Sequence, residues 1–222
     1  MARHCRSPGC TAEATQYGAY CTSHKSTLRR HGDADQRGIT KADLKAPLRA
    51  IRGRIERNSG NPVWGQSEGR WREVVGHARA VLARQGAGSA YARQAASETV
   101  KLAEAVEARE IMATAFAVYL MADQQPRRFL SDTAFRVQLV RRLRGLTEAN
   151  AGTWFDHKTG RTKRVYRELP PQAAGVMGEW IAKAFGAVGL FLARMDREQR
   201  EAAALKADAD RVKMAEALEA LQ

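Results

Sequence analysis

The sequence predicts a mainly α protein with a small cysteine-rich module at its N-terminus, one β-hairpin and a long C-terminal helix. All three cysteines fall within the first 21 residues. Apolar residues recur at helical spacing from about residue 40 onward, and a single stretch has strand composition around a tight turn. The chain has 222 residues, 44% of them hydrophobic and 27% charged. That composition is typical of a folded domain with a core of its own, and it argues against wholesale disorder or a disulfide framework.

The cysteines and one histidine have the spacing of metal ligands. Cys5, Cys10, Cys21 and His24 read C-x4-C-x10-C-x2-H. Zinc prefers four tetrahedral nitrogen and sulfur ligands, and a Cys3His set leaves no position for a reactive water. The pattern therefore predicts one structural Zn2+, with His4 and His31 as alternatives for the fourth ligand. Three free thiols beside a surface histidine are the alternative without metal, which the clustering disfavours.

The same segment resembles a known family. Tyr20 stands directly before the C-x2-H pair, and the basic stretch LRRHGD follows at residues 28–33. Together with the C-x4-C pair, these features resemble a small zinc finger of phage and mobile-element proteins, which sometimes precedes an HNH endonuclease domain. The resemblance covers residues 5–33. It implies a zinc-binding module in a bacterial or phage protein and leaves the rest of the chain unassigned.

Helical patterns begin after this module. Thr40 and Asp43 resemble a capping pair at the start of the first helix. Its apolar positions are Leu44, Leu48, Ile51 and Ile55. Residues 58–62 form a break, and a second helix is predicted over residues 66–84. The residues expected in the core from that helix are Trp71, Val74, Val75, Ala78 and Leu82.

The middle of the chain predicts further helices and the hairpin. Residues 86–88 are a linker, after which one long helix is expected from residue 89 to residue 122. Pro126 stops that helix, and Ser131 can cap the next one. The stretch TWFDHKTGRTKRVY then predicts a β-hairpin with its turn at residues 157–160.

The C-terminal region is predicted as a helix for packing or association. Residues 173–195 are nearly all apolar and long enough to span a bilayer, but Glu179 and Lys183 would place charges at midspan. A buried core or oligomer helix is therefore expected, and no membrane partner. The predicted units are residues 1–33, a zinc finger; 34–60, a basic helix and linker; 61–170, a helical domain with a basic hairpin at 153–167; and 171–222, the association helix.

The charge is strongly basic and unevenly distributed. The chain has 37 Lys and Arg against 24 Asp and Glu, a net charge of +13, and residues 171–222 contribute none of the excess. A basic front part indicates a polyanionic partner. The candidate nucleic-acid contacts are Lys25, Arg29 and Arg30 after the finger, Lys45, Arg49 and Arg52 on the first helix, and Lys158, Arg161, Lys163 and Arg164 on the hairpin. The helix before the hairpin adds Arg136, Arg141, Arg142 and Arg144. Five cations crowd the hairpin, so an acidic neighbour or an outside ligand should compensate them. A solvated polar face is the alternative for each element.

The sequence contains neither the phosphate-binding loop G-x-x-x-x-G-K-[ST] nor the nucleophile elbow G-x-S-x-G. Asp156 and His157 could form part of a nuclease site, but the other members of an HNH site are not recognisable nearby. We therefore expect a non-enzymatic protein, with a phage-type nuclease as a minor alternative.

The leading interpretation is a cytoplasmic DNA-binding protein, a regulator or an accessory subunit of a nucleoprotein complex. Duplex DNA is the favoured partner, and RNA is open because Trp154, Phe155 and Tyr166 could stack on bases. The rival interpretation is a protein-interaction adaptor that uses the finger and the C-terminal helices. A homo-oligomer or a protein partner is expected to engage residues 171–222.

Overall fold

The structure is a computed structural model that describes residues 3–84 and 88–219, with the side chains of Arg164, Val165 and Leu218 outside the description. In this part of the chain the elements are α1 (Thr22–His31), α2 (Lys45–Arg57), α3 (Pro62–Ala83), α4 (Ala90–Ala105), α5 (Ala108–Gln124), α6 (Asp132–Arg144), β1 (Ala151–Asp156), β2 (Arg161–Tyr166) and α7 (Pro171–Glu219). The two strands form one antiparallel hairpin. The predicted class, mainly α with one hairpin and a long C-terminal helix, is confirmed.

Helix α5 is the centre of the core. Every residue from 111 to 121 is buried, and α2, α3, α6 and α7 pack around it. A helix that is apolar on all sides must be surrounded by other elements. Phe116 of α5 lies 5.7 Å from Phe185 of α7, which stacks on Trp71 of α3 at 6.3 Å between ring centroids. These rings join three helices at the middle of the molecule.

Side-chain to backbone hydrogen bonds form in the turn before α2 and at the N-cap of α3. The predicted pair forms, since Thr40 N donates to Asp43 Oδ2 at 2.8 Å and Asp43 N donates to Thr40 Oγ1 at 3.1 Å. Helix α3 begins ahead of the predicted residue 66, because Asn61 caps it and a proline suits the first helical position. Leu82, expected in the core, is 42% exposed because the last turn of α3 extends past the last buried residue of the helix, Ala78.

The predicted single helix over residues 89–122 is wrong, because two helices occupy that stretch. Val106 and Glu107 have extended backbone conformations and separate α4 from α5. Neither residue is a glycine or a proline, and the apolar spacing continues across the break, so the sequence carries no signal for it. The break lets α4 pack along α3 while α5 enters the core. Most of the predicted linker at residues 86–88 lies outside the described residues.

The N-terminal module is anchored on α6. Gly32 ends α1 at φ +85°, and a Cβ there would lie 2.8 Å from the Thr133 carbonyl oxygen, so glycine is required. Gln138 Nε2 lies 3.0 Å from His31 Nδ1, and Gln138 Oε1 accepts a hydrogen bond from Ile39 N at 3.0 Å. One buried glutamine therefore fixes both the end of α1 and the segment that follows it.

Helix α7 is half in the core and half in solvent. Met177, Ile181 and Phe185 are fully buried, whereas every described side chain from residue 201 onward is exposed. By length and composition α7 could cross a membrane, with a mean hydropathy of 1.4 over an 18-residue window. However, 44% of that window is buried inside the protein, where α7 packs against α3, α4, α5 and α6.

Candidate metal centre and cationic groove

The four predicted metal ligands come together from two short elements. Cys5 and Cys10 flank a turn in which Cys10 N donates to the Ser7 carbonyl oxygen at 3.1 Å and Gly9 has φ +74°. Cys21 stands at the N-cap of α1, which places His24 in the first turn of that helix. One ligand atom from each of the four residues lies within 4.8 Å of all the others. The group can therefore hold a metal ion.

The spacing fits a tetrahedral ion. With metal–sulfur bonds of about 2.3 Å and a metal–nitrogen bond of about 2.0 Å, two sulfurs lie about 3.8 Å apart and a sulfur and a nitrogen about 3.5 Å apart. In the structure, the Sγ atoms of Cys10 and Cys21 are 4.0 Å apart. His24 Nδ1 lies 3.5 Å from Cys5 Sγ and 3.2 Å from Cys21 Sγ. The donor set and its geometry are consistent with a Cys3His zinc site.

Hydrogen bonds from backbone N–H groups lower the thiol pKa at two of the three cysteines. Burial alone would raise the pKa of the Cys5 thiol, but the backbone N–H groups of Cys21 and Ser7 outweigh it and lower that pKa to about 7. The backbone N–H of His24 lowers the pKa of Cys21. At Cys10, the N–H of Ala12 favours the thiolate, yet burial and the neighbouring thiols prevail and raise the pKa. Metal binding requires thiolates, so the fold partly prepares the ligands.

A chain of hydrogen bonds orients the histidine. His24 Nε2 lies 3.1 Å from Ser7 Oγ, and that hydroxyl donates to Asp35 Oδ1 at 2.5 Å. A proton on Nε2, donated to Ser7, leaves Nδ1 unprotonated and facing the sulfurs. Ligating histidines commonly have such a partner on the other ring nitrogen. Sequence reasoning missed Ser7 and Asp35, which the spacing of the ligands does not reveal.

The two alternative histidines lie elsewhere. His4 is in an isolated antiparallel bridge with Glu13, and His31 contacts Gln138 on α6. Burial is the main cause that lowers the pKa of His31. Neither residue belongs to the ligand group, so the structure places His24 there as the fourth donor.

Some of the predicted nucleic-acid contacts are paired with carboxylates. Arg30 lies 2.9 Å from Glu168, and Arg52 lies 2.6 Å from Glu110. Surface pairs of this kind are worth little and can exchange partners. Apart from Lys163, the remaining predicted cations whose side chains are described are exposed and have no ion pair in the described part of the chain: Lys25, Arg29, Lys45, Arg49, Lys158 and Arg161. The side chain of Arg164 lies outside the described residues.

Asp156 compensates one of the crowded hairpin cations. Lys163 Nζ lies 2.5 Å from Asp156 Oδ2, and the same carboxylate accepts hydrogen bonds from Lys158 N and Thr159 Oγ1 at 3.0 and 2.9 Å. Lys163 is the main cause that lowers the pKa of Asp156. The sequence predicted an acidic neighbour or an outside ligand for the hairpin cations, and Asp156 is an acidic neighbour of Lys163. Its oxygens hold the turn together.

A second site, which we call the cationic groove, forms where α1, α6 and the end of β2 meet. It has a volume of about 770 Å³. The groove is lined by Arg30, Lys41, Arg141, Arg142, Arg144, Gly145, Glu148, Tyr166, Arg167 and Glu168. Six of these side chains are basic and two are acidic, so the lining has an excess of positive charge. Of the predicted nucleic-acid contacts, Arg30 lines the groove, and so do three arginines from the helix before the hairpin, Arg141, Arg142 and Arg144.

Two adjacent arginines on α6 are partly buried in the groove. Burial is the first cause that lowers the pKa of both Arg141 and Arg142, and their mutual repulsion adds to it at Arg142. Arg141 Nη1 donates to the Arg30 carbonyl oxygen at 3.2 Å. Arg142 has no ion pair within the described residues, and its buried Nε has no hydrogen-bond partner there. A partly desolvated cation of this kind is costly unless an anion compensates it.

The third α6 arginine of the groove is held by a buried ion pair and a hydrogen bond. Arg144 Nε lies 2.8 Å from Glu98 Oε2, and both side chains are only 9% exposed. Arg144 Nη2 also donates to the Arg167 carbonyl oxygen at 2.8 Å. Arg144 therefore ties the end of the hairpin to α6. The sequence signals for this groove were Arg30 after the finger and the run of arginines in α6.

The chain matches no protein-family model, no curated protein and no solved structure. The resemblance of residues 5–33 to a phage-type zinc finger thus has the ligand spacing and the ligand cluster as its support.

Proposed function

We propose that this protein binds nucleic acid without catalysing a reaction, and that the cationic groove holds the phosphates. The observation that carries the proposal is Arg142, a partly buried cation with no ion pair in the described chain, in a groove lined by six basic side chains. A phosphate would supply the missing anion, and a guanidinium fork suits it. DNA is the first candidate, in a regulator or an accessory subunit of a nucleoprotein complex.

The test is fluorescence anisotropy of labelled oligonucleotides across a salt series. Binding should weaken steeply as salt rises, because each phosphate contact releases counterions. Arg142→Gln should weaken binding roughly 10-fold and reduce the salt slope by about one contact. Arg79→Gln is the matched control, since Arg79 is exposed on α3 and away from the groove. Equal affinities for these two variants would contradict the proposed role of the groove.

We further propose that the ion at the Cys3His group is one structural Zn2+. Zinc would tie the turn of residues 5–10 to the start of α1 and so fix the shape of the module that packs on α6. Cys10→Ser should lower the metal content well below one ion per chain and loosen residues 3–33 towards proteolysis. His4→Gln is the control and should keep the ion. Unchanged metal content in Cys10→Ser would contradict the assignment.

A protein-interaction adaptor is the second candidate. It is favoured by exposed apolar side chains on α7: Leu190, Phe191, Leu205, Val212 and Met214. Such a surface suits a second copy of the chain or another protein. Saturable binding to one protein that persists at high salt, without binding to any nucleic acid, would replace the first proposal by this one.

A further inference from the structure

Three aromatic rings of the hairpin are exposed and lie outside the core. Trp154 is 55% exposed, Phe155 48% and Tyr166 42%. Residues 152–155 of β1 are exposed on both faces of the ribbon, so neither face of this strand is packed against the core. A group of exposed apolar side chains rimmed by polar ones is typical of a contact surface for a ligand or a partner.

A cleft lies beside β1, next to the cationic groove. This hairpin cleft has a volume of about 690 Å³ and is lined by residues 149–154 and by Arg167. Arg167 also lines the cationic groove. The two depressions therefore share one cation, and each has an aromatic ring, Tyr166 in the groove and Trp154 in the cleft.

The shared border is held rigidly. Arg167 N donates to the Asn150 carbonyl oxygen at 3.0 Å, and the Arg167 carbonyl oxygen accepts from the buried Arg144 at 2.8 Å. Asn150 is itself buried. The backbone between the groove and the cleft is thus fixed to α6, so the positions of the phosphate site and of the rings are fixed relative to each other.

We propose that the ligand is a single-stranded segment of nucleic acid, with phosphates in the cationic groove and unstacked bases on Tyr166 and Trp154. The inference rests on the proposed function and specifies its ligand. In a duplex the bases are stacked inside and present only their edges, so an exposed ring beside a phosphate site gains nothing from them. In a single strand, base faces are free to stack on aromatic side chains while arginines hold the backbone.

The experiment compares oligo(dT) of about 20 nucleotides with a duplex of the same length, by anisotropy at matched salt. The variants are Trp154→Ala, Trp154→Phe and, as the control, Tyr91→Ala, which removes an exposed ring from α4. Circular dichroism verifies that each variant is folded. We expect the wild-type protein to prefer the single strand, Trp154→Ala to lose roughly 10-fold in affinity for it, and Trp154→Phe and Tyr91→Ala to retain most of it.

The outcomes separate this inference from the proposed function. Duplex binding that equals or exceeds single-strand binding, with Trp154→Ala unchanged, would overturn the single-strand assignment and leave nucleic-acid binding intact. No binding to either oligonucleotide at low salt would overturn both. A parallel measurement with oligo(U) tests whether the sugar matters. RNA binding of similar strength and with the same Trp154 dependence would support stacking on unpaired bases of either polymer.

Discussion

His24 is held by two hydrogen bonds in series, from its Nε2 to Ser7 Oγ at 3.1 Å and from Ser7 to Asp35 at 2.5 Å. The hydroxyl selects which ring nitrogen keeps its proton, and it fixes the plane of the imidazole. Without it, the ring would have to be oriented by the metal alone. The affinity of the proposed metal site should therefore depend on a residue that is not among the four candidate ligands.

Ser7→Ala should weaken metal binding by roughly 10-fold or more, because partners of this kind typically contribute that much. Competition with a chromophoric chelator measures the affinity. Ser23→Ala, an exposed serine on α1 beside the ligand His24, is the control and should leave the affinity unchanged. An unchanged affinity in Ser7→Ala would mean that the hydrogen-bonded chain does not orient the histidine.

The four residues of the cluster were predicted from their spacing, with His4 and His31 left as alternatives for the fourth position, because turns and helix starts bring close neighbours together. Asp35 could not be predicted in this way. It lies beyond the end of α1, and its contact with Ser7 depends on how the chain returns after Gly32. The same holds for Gln138, whose two contacts with residues 31 and 39 exist only once α6 has packed against the module.

At the scale of elements, the buried pair of Glu98 and Arg144 connects α4 to α6. Glu98→Ala should lower the free energy of unfolding by roughly 3 kcal/mol or more, since it leaves a buried guanidinium without its partner. Lys101→Ala removes the exposed partner of the same carboxylate, at 3.3 Å, and should cost less than about 1 kcal/mol. Urea denaturation compares the two. Similar costs would contradict the importance of the buried pair.

The hydrogen bonds between Thr40 and Asp43 before α2 should make the free energy of unfolding depend on pH. The Thr40 backbone N–H, then its hydroxyl, lowers the pKa of the Asp43 carboxyl below its ordinary value of 3.8. A carboxyl with a lowered folded pKa stabilises the fold above its unfolded pKa, and this stabilisation is lost as the pH falls through the folded value. Asp43→Ala should therefore cost about 1 kcal/mol at neutral pH, and the cost should shrink below pH 3.8. Urea denaturation at several pH values measures it, with Asp208→Ala on the exposed part of α7 as the control. A difference that stays constant down to pH 3 would contradict the role of the ionised carboxylate.

Sequence reasoning placed most elements because capping residues and apolar spacing act locally. It failed at Val106 and Glu107, where an uninterrupted pattern spans a break. Helix α5 is buried on every side because of how the helices assemble, and the local sequence pattern cannot show this. The prediction that Leu82 lies in the core was wrong for a related reason, because a helix can keep its apolar spacing past the end of the core.

At the scale of the whole molecule, the positive charge converges through the fold. Arg30, Lys41, Arg142 and Arg167 come from four separate segments and line one groove. The sequence predicted three separate basic elements, and the packing of α1, α6 and the hairpin is what brings parts of them together. Residues 171–222, with 7 basic and 8 acidic residues, stand apart from this surface in charge.

The outer part of α7 should be separable from the rest. Up to Arg200 the helix is tied to the body, for example by Arg197 to Asp123 at 2.8 Å and Asp196 to Gln124 at 3.1 Å. From residue 201 the described side chains are exposed, and the ion pair of Arg211 with Asp208 is local. Removing residues 201–222 should therefore shift the Tm by less than about 2 °C, as for other exposed changes.

A deeper truncation provides the contrast. Ending the chain at residue 190 removes the buried Leu192 and the ion pairs to Asp123, so the Tm should fall by more than about 5 °C. Calorimetry measures both truncations, and anisotropy tests their nucleic-acid binding. The shorter truncation should bind nucleic acid like the full chain, because it leaves every residue of the cationic groove in place. Loss of binding or of stability on removing residues 201–222 would show that the outer part of α7 stabilises the body. It would contradict the view that this part serves only for association.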